Sequence, residues 1–343
     1  MKMEQLTLMP VIRLGSAISK LPGGHDLIFF QKDKVVLRSY SVGVDLEIPG
    51  MDLTATVSAK SLSSAVKNMD AGGLDIRLTK TQMVITDGVR KARLKLMETG
   101  DALADIQLPE DMANVPVELN MILSRAVMDG GGNDGIQFLE ELAVSKGRSE
   151  LVISTVEDIP PFYLQKAQVE LLQSAAISDA SAFAVSDNMV YFHDPGHCTI
   201  RCASAVIPGA VTKENMVTFQ EEVLAPAEVV YAGVMHESVG TVLKRVMIFS
   251  AVDDLMGAAV RIVFDPEAHI VKLIGENSSG AFEEVTDMEY DGEKPLDILI
   301  SSTSLTELAN RPFSIKQRPD NKKGIWFVAK EGVTTYICAG TVA

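Results

Sequence analysis

Residues 237–277 read ESVGTVLKRVMIFSAVDDLMGAAVRIVFDPEAHIVKLIGEN, and their pattern predicts the basic unit of the fold. Its apolar residues Val239, Val242, Leu243 and Val246 recur at the spacing of one face of an amphipathic helix. The runs AAVRIVFD and HIVKLIGEN follow, and each is typical of a β-strand. The stretch therefore predicts a helix packed against antiparallel strands, which is one unit of an α+β architecture.

The same order of helix and strands recurs along the whole chain. Five further helix-forming segments begin near Leu6, Thr54, Pro116, Gln168 and Leu296. In the first of them we expect the helix to start near Pro10, because proline is favoured in a first helical turn. Taken in pairs, the segments predict three modules, each of an ordinary domain size. We place these modules at residues 1–112, 113–224 and 225–343, and two linkers at residues 98–116 and 218–228.

Composition narrows the class of protein. Hydrophobic residues make up 47% of the 343 residues, which indicates a globular chain. No apolar run is long enough to cross a bilayer, and the start MKMEQLTLMP lacks the core of a signal peptide. The three cysteines, Cys198, Cys202 and Cys338, together with that missing export signal, indicate a reducing, cytoplasmic setting.

The net charge of −15 argues against nucleic-acid binding unless the basic residues share one surface. We predict that the basic residues do share one surface, because they recur on or beside the helices, away from the apolar stripes. The candidates for this lining are Arg13, Lys20, Lys60, Lys67, Arg125, Lys244, Arg245 and Arg311. Taken singly, each is compatible with an ordinary solvated charge. Together they predict a cationic surface that contacts DNA phosphates without reading sequence.

Two segments carry residues of chemical interest. His193, His197, Cys198 and Cys202 are zinc-type ligands, but the two cysteines fall on one predicted strand and would lie about 13 Å apart. We therefore favour a hairpin turn at residues 194–196 over a metal site. The glycine-rich run DGGGNDG at residues 129–135 lacks the ending of a phosphate loop and is interpreted as a helix stop and turn. No catalytic signature stands out, although a site assembled from scattered residues stays open.

A family resemblance rests on four stretches. Residues 243–292 have a helix, an Ile-Phe-Ser turn, paired strands and an acidic Glu-Glu segment ending in Tyr-Asp-Gly. LDILISSTSLTELAN from Leu296, SLSSAVKNM from Ser61, and residues 74–97 with the downstream IQLPED add to it. The chain resembles the DNA polymerase sliding clamps of the bacterial β type, in order and length over most of its residues. Module two is the most divergent part.

The resemblance implies a fold and a function. It implies three repeated DNA-clamp domains, each with two helix-plus-antiparallel-sheet halves, in a closed ring. Two chains would encircle duplex DNA and tether the polymerase, with no enzymatic activity, cofactor or metal. The implied setting is the cytoplasm of a bacterial cell, or of an infected host cell if a phage encodes the clamp. A trimer or a stable monomer stays open, as does a β-rich viral structural or assembly protein without a DNA role.

The resemblance also implies two interfaces. The dimer interface would use Leu94, Leu96, Ile248 and Phe249, for which a place in the intrachain core is the alternative. A pocket for short peptides of the polymerase and clamp loader would use Thr155, Asp158, Ile159, Pro160, Pro208, Thr212, Ile337, Ala339, Gly340 and Thr341. This sequence departs from the family there: Val156-Glu157-Asp158-Ile159 replaces Gly-His-Arg, and Ala339–Ala343 replaces Met-Pro-Met-Arg-Leu. A different peptide or a different site is therefore expected.

Overall fold

The structure, a computed structural model, describes most of the chain. The described residues are 2–21, 26–69, 72–98, 104–116, 118–125, 135–147, 149–157, 159–175, 181–204, 211–250, 252–253 and 257–342. They form two compact units. Unit one comprises residues 1–124 and 162–207, and unit two comprises residues 125–161 and 208–343. Both units take residues from module two, so they do not correspond to the three modules, whose boundaries stay a prediction.

The helices of the described residues are α1 (Gln5–Ile18), α2 (Ala59–Lys67), α3 (Leu119–Ser124), α4 (Lys166–Ala175), α5 (Lys213–Thr218), α6 (Ser238–Val246) and α7 (Ser302–Leu308). The strands of the first half are β1 (Lys2–Glu4), β2 (Leu27–Gln31), β3 (Lys34–Arg38), β4 (Val42–Glu47), β5 (Ala55–Ser58), β6 (Gly73–Leu78), β7 (Gln82–Thr86), β8 (Lys91–Lys95), β9 (Ala113–Asn114), β10 (Gly135–Leu139), β11 (Leu142–Lys146), β12 (Glu150–Thr155) and β13 (Phe162–Gln165). Those of the second half are β14 (Ala182–Ser186), β15 (Met189–Asp194), β16 (Cys198–Ala203), β17 (Val229–Val234), β18 (Val252–Asp253), β19 (Gly257–Asp265), β20 (Ile270–Asn277), β21 (Gly280–Glu289), β22 (Leu296–Ser301), β23 (Pro312–Gln317), β24 (Gly324–Glu331) and β25 (Thr334–Val342).

Unit one contains two antiparallel sheets. One has the strand order β5-β2-β3-β4-β16-β15-β14-β9, and the other has the order β1-β6-β7-β8. The strand pair β4 and β16 joins segments far apart in sequence, with Val44 opposite Ile200. The β15–β16 hairpin turns at residues 195–197, as the sequence indicates.

Helices α1 and α2 of unit one pack closely together. A Cβ at Gly15 would lie 3.1 Å from Ile28 Cδ1 and 3.3 Å from Ala59 Cβ, so glycine permits this approach. The side-chain amide of Gln5 donates to the carbonyl of Val66 at 2.8 Å, which ties the start of α1 to the end of α2. The apolar stripes of both helices are buried, which leaves their polar faces exposed.

Unit two is built around a long antiparallel sheet. Its strands run β10-β11-β12-β25-β22-β19-β20-β21, and β25 also pairs with β24, which continues to β23 and β17. Helix α6 packs on β20 and β21, and also contacts α7. The stripe predicted for α6 is confirmed, since Val239, Val242, Leu243 and Val246 are all buried.

Two expectations about helix bounds are wrong. Helix α1 begins at Gln5, so Pro10 lies inside it. Leu8 before the proline and Val11 after it are both fully buried, and their burial offsets the one backbone hydrogen bond that proline removes. The expected second linker is also helical, because a π-helix over Phe219–Leu224 continues α5.

None of the helices that the structure describes combines the length and the apolar character needed to cross a bilayer.

Candidate functional site

Four of the predicted lining residues lie on the exposed side of the α1–α2 pair. Arg13 lies on α1, Lys20 lies just after it, and Lys60 and Lys67 lie on α2. All four side chains are exposed, and none forms an ion pair within the described residues. Because the opposite sides of both helices are buried, the four charges belong to the surface turned away from the core. A surface of this kind suits a polyanion.

The predicted lining residues of unit two fall into two groups. Lys244 on α6 is exposed and forms no ion pair in the described part of the chain. Arg245 beside it binds Glu284 of β21 through both ends of its guanidinium group, with Nε 2.7 Å from Oε2. The hydrogen bond from Arg245 lowers the pKa of Glu284 and raises the pKa of Arg245 itself.

Arg125 and Arg311 are held by one carboxylate. Arg125 lies 2.9 Å from Glu331 and donates to Thr334 Oγ1 at 3.0 Å. Arg311 lies 3.0 Å from Glu331 and stacks on the ring of Tyr336, with its guanidinium carbon 4.0 Å from the ring centroid. These arginines therefore stabilise the β24–β25 hairpin. Of the eight predicted lining residues, the five without an ion pair in the described part of the chain are Arg13, Lys20, Lys60, Lys67 and Lys244.

The predicted peptide pocket is only partly open. Thr155, Pro160 and Thr212 are exposed, and Ala339 and Thr341 are half-buried. Ile159, Ile337 and Gly340 are buried, whereas Asp158 and Pro208 lie outside the described residues. The hydroxyl of Thr212 accepts a hydrogen bond from the backbone N–H of Asn215 at 3.2 Å, so Thr212 caps α5.

A helical segment of the chain covers the apolar surface around Ile337. Met216 of α5 and Leu224 of the π-helix are buried in a cluster with Ile337 and Trp326. Phe219 contacts Trp326 edge to face, with ring centroids 5.6 Å apart. The chain itself therefore covers this apolar surface. The sequence differs from the resembled clamps at the same place.

A groove beside this cover could not be predicted from any sequence pattern. It encloses about 410 Å³. Leu224, Phe313 and Val328 contribute apolar surface, and Lys316 and Lys330 contribute charge. Lys316 Nζ donates to the carbonyl of Leu224 at 2.8 Å and so closes the end of the π-helix. A second, polar groove of about 480 Å³ lies at the start of α6 and is lined by residues such as His236, Ser238 and Asp287. Both grooves are assembled from segments far apart in sequence.

The predicted dimer-interface residues occupy a sheet edge and a short helical turn. Leu94 is 7% exposed on the edge strand β8, and Leu96 after it is half-buried. Ile248 is 75% exposed in the 3₁₀-helix Met247–Phe249. Phe249 stacks on Phe282 of β21, with ring centroids 6.0 Å apart. An exposed isoleucine beside a stacked pair of rings indicates a surface suited to an apolar contact.

The cysteines and histidines of residues 193–202 have structural contacts. Cys198 and Cys202 are buried on β16, and burial raises the pKa of each thiol to about 12. His193 Nδ1 lies 2.9 Å from Thr199 Oγ1, and His197 Nε2 lies 3.1 Å from the carbonyl of Ala175. Within the described ranges, no three His, Cys, Asp or Glu residues are grouped as metal ligands would be. The glycine-rich run at residues 129–135 lies almost wholly outside the described residues.

Comparison with solved structures identifies the architecture. The chain is similar to the DNA polymerase III β subunit of Thermotoga maritima, with a TM-score of 0.70 and 14% identity over 100% of this chain and 99% of that chain. It has the sliding-clamp fold. The subunit of Pseudomonas aeruginosa matches with a TM-score of 0.66 and 13% identity, covering 99% of each chain.

The β clamp of Helicobacter pylori, solved bound to a DNA ligase peptide, also matches this clamp fold. Its TM-score is 0.64 at 10% identity, covering 99% of each chain. No protein-family model matches the sequence, and no curated protein matches it. The α+β class and the resemblance to bacterial β clamps are thus confirmed at the level of fold.

Proposed function

We propose that the protein is a DNA sliding clamp, a replication processivity factor that encircles duplex DNA and tethers a polymerase. The observation that carries this proposal is the full-length match to bacterial β subunits at TM-scores of 0.64 to 0.70. Its mechanism is topological rather than enzymatic. A closed ring does not leave DNA sideways, so weak phosphate contacts suffice and also permit sliding.

The DNA contact is assigned first to the α1–α2 surface. Arg13, Lys20, Lys60 and Lys67 are exposed there, and Lys244 supplies a comparable charge on α6. These five side chains carry positive charge on a chain whose net charge is −15. Arg125, Arg245 and Arg311 are ion-paired and would act mainly by holding the structure in place. Contacts of lysine and arginine with phosphates alone would give no sequence preference.

Two chains would form the ring, with Leu94 and Leu96 of one copy against Ile248 and Phe249 of the other. The exposure of Ile248 supports this assignment. The polymerase and clamp loader would bind through short linear peptides. The Helicobacter pylori clamp supports this mode, because it was solved with a peptide of a DNA ligase. The expected setting is the cytoplasm of a bacterial cell, or of an infected cell if the clamp is phage-encoded.

The peptide site is assigned to unit two. The pocket predicted from Thr155 to Thr341 has exposed residues only at its rim, because α5 and the π-helix cover its apolar part. The neighbouring groove of about 410 Å³ offers an apolar floor at Phe313 and Val328. Peptide binding in this region would therefore be sensitive to replacement of either Thr212 or Phe313.

The test is retention on DNA of defined topology. The protein is loaded on a nicked circular plasmid with a clamp loader of its host, and the complex is isolated by gel filtration. Retention on the circle and loss after linearisation are expected. Equal loss from circular and linear DNA would refute the clamp function, and open-ended self-association would favour a structural protein instead.

A further inference from the structure

A separate helical segment covers an apolar surface of unit two. It consists of residues 213–224, in which α5 leads directly into the π-helix, and we call it the strap. The apolar side chains beneath it come from β11, β12, β24 and β25 and include Leu142, Ile153, Trp326 and Ile337. Met216 and Leu224 of the strap are buried in the same cluster, and Phe219 packs beside them. The strap therefore lays an apolar face on the sheet.

Side chains at its two ends tie the strap to the rest of unit two. At the start, Lys213 Nζ lies 2.7 Å from Glu141 Oε2 and 3.5 Å from Glu140 Oε2. At the end, Lys316 Nζ donates to the carbonyl of Leu224 at 2.8 Å. Within the described residues no backbone hydrogen bond joins the strap to a strand. The strap can therefore leave the sheet without breaking any strand pairing.

The strap is a weak helix on its own. It has six α-helical residues followed by six π-helical residues, and isolated helices of about 12 residues are marginal in water. Single π-helical turns are rare and occur frequently at functional sites. Glu221 and Glu222 on the outer side are exposed and add no contact with the sheet. The helix of the strap thus depends on the apolar surface beneath it, and another segment that takes this surface would release it.

The covered surface suits an apolar segment with an acidic end. Phe219 sets its ring edge to face on Trp326, so the surface accepts an aromatic side chain. Without the strap, Lys316 would lose the carbonyl of Leu224 that it now binds. The exposed Lys330 lines the same groove as Lys316. A carboxylate at this end would form charge-assisted hydrogen bonds, which are stronger than the bond to a carbonyl.

We infer that the strap is a built-in competitor for partner peptides, which displace it to bind the apolar surface of unit two. The inference rests on the proposed function and gives the peptide site a closed and an open state. The partner segment carries an aromatic or large apolar side chain followed by a carboxylate. Its apparent affinity is the affinity of the open state reduced by the fraction of molecules that are open. Contacts at the ends of the strap therefore set the strength of partner binding.

The strap also has a simpler possible role as a permanent cover that keeps apolar side chains from water. A permanent cover opens only when the sheet itself unfolds, whereas a competitor opens while the sheet stays folded. Trp326 distinguishes the two roles, because it is the single tryptophan of the chain, is 8% exposed and contacts the strap. Opening of the strap alone would expose Trp326 to a soluble quencher such as acrylamide and leave the strands intact.

The experiment loosens the strap in the full-length chain and offers its sequence as a separate peptide. The probe is a fluorescein-labelled peptide of residues 212–226, and its binding is followed by anisotropy. The substitution Lys213→Glu places a third carboxylate beside Glu140 and Glu141, so the open fraction should rise about tenfold and the apparent dissociation constant of the probe should fall about tenfold. The substitution Lys294→Glu is the matched control, because it makes the same charge change at an exposed turn between β21 and β22 and should leave binding unchanged.

A second variant opens the strap fully. Met216→Asp with Leu224→Asp charges both buried strap residues, so acrylamide should quench Trp326 more strongly while circular dichroism shows the strands retained. Two altered probes test the chemistry of the partner. A probe with serine in place of Met216 and Phe219 should not bind. A probe with Ala225→Asp should bind more tightly than one with Ala225→Lys.

Three results would overturn the inference. They are equal probe affinity in the unmodified and Lys213→Glu chains, loss of the strands in the doubly charged variant, and tighter binding of the Ala225→Lys probe. None of these measurements uses DNA, so they are independent of the clamp function. If the probe competes with the strap but the protein is lost equally from circular and linear DNA, the clamp function fails while the role of the strap stands. Retention on circular DNA together with unchanged probe affinity would refute the strap and support the clamp.

Discussion

Replacing Lys60 and Lys67 with alanine is expected to weaken binding to duplex DNA and to leave the fold and the proposed dimer unchanged. Both side chains are exposed on α2, and neither forms an ion pair within the described residues. The buried stripe of α2, Leu62 and Val66, is untouched. Alanine also favours a helix, so the surface that carries the charges stays in place.

The expected size of the effect follows from the charge count. Each phosphate contact contributes about 0.9 to the slope of log affinity against log salt concentration. In the proposed dimer, two lysines in each chain correspond to four contacts, so the slope should decrease by up to about 3.6. Fluorescence anisotropy of a short labelled duplex, measured over a salt series, gives the slope. Light scattering of the same samples reports whether the proposed dimer is intact.

The matched control removes two lysines from turns of the same unit. Lys32 and Lys80 are exposed between strands and lie on neither α1 nor α2. Their replacement by alanine changes the net charge equally and should leave the slope close to that of the unmodified protein. An unchanged slope for Lys60→Ala with Lys67→Ala, with the dimer intact, would refute the assignment of α2 to the DNA surface. An equal decrease in the control would mean that binding depends only on total charge.

Three further outcomes are expected. The substitution Phe249→Asp places a charge in the apolar surface beside Phe282 and should give folded monomers by light scattering, so a persistent dimer would mean that this surface is not the interface. The substitution Gly15→Val adds a side chain whose Cβ would lie 3.1 Å from Ile28, and it should destabilise the fold by about 1–3 kcal/mol. This loss would be measured as a lower midpoint of unfolding in urea. An unchanged midpoint would show that α1 can shift to make room. Cys202 should not react with a thiol reagent at pH 8 in the folded protein, because burial raises the pKa of its thiol from 9.0 to about 12. Between those two pH values the unfolded state binds fewer protons than the folded state. The free energy of unfolding should therefore fall as pH rises above about 9. A stability that stays flat from pH 9 to 11 would contradict that burial.

The sequence predicted those parts of the fold that depend on local patterns. The spacing of Val239, Val242 and Leu243 is enough to define α6, because one face must be buried. The start of α1 was misplaced because the rule for proline in a first turn outweighed the apolar Leu8 before it. The helix over Phe219–Leu224 was missed because Glu221, Glu222 and the following proline indicated a solvated linker.

Contacts between distant segments were beyond the reach of local patterns. Alternation of residues shows which face of a strand is buried, but it does not show which strand lies beside it. The pairing of β4 with β16 and of β12 with β25 therefore needed the structure. Ion pairs cannot be predicted for the same reason. The sequence places Arg125 and Arg311 on or beside helices, but it does not show that Glu331 pairs with both. The exposure of Arg13 on α1 and of Lys60 and Lys67 on α2 was predicted more accurately because it follows from helix periodicity alone.

The position of β25 in the sheet has a consequence for synthesis in the cell. Ser154 of β12 bonds with Thr334 of β25, and 180 positions separate them in the sequence. Since β25 also pairs with β22 and β24, the centre of this sheet stays empty until the last described strand has left the ribosome. At a synthesis rate of about 5–20 residues per second, one edge of β12 stays unpaired for roughly 10–40 seconds. During that interval the nascent chain would depend on chaperones, and removal of residues 334–342 should yield insoluble protein rather than a smaller folded one.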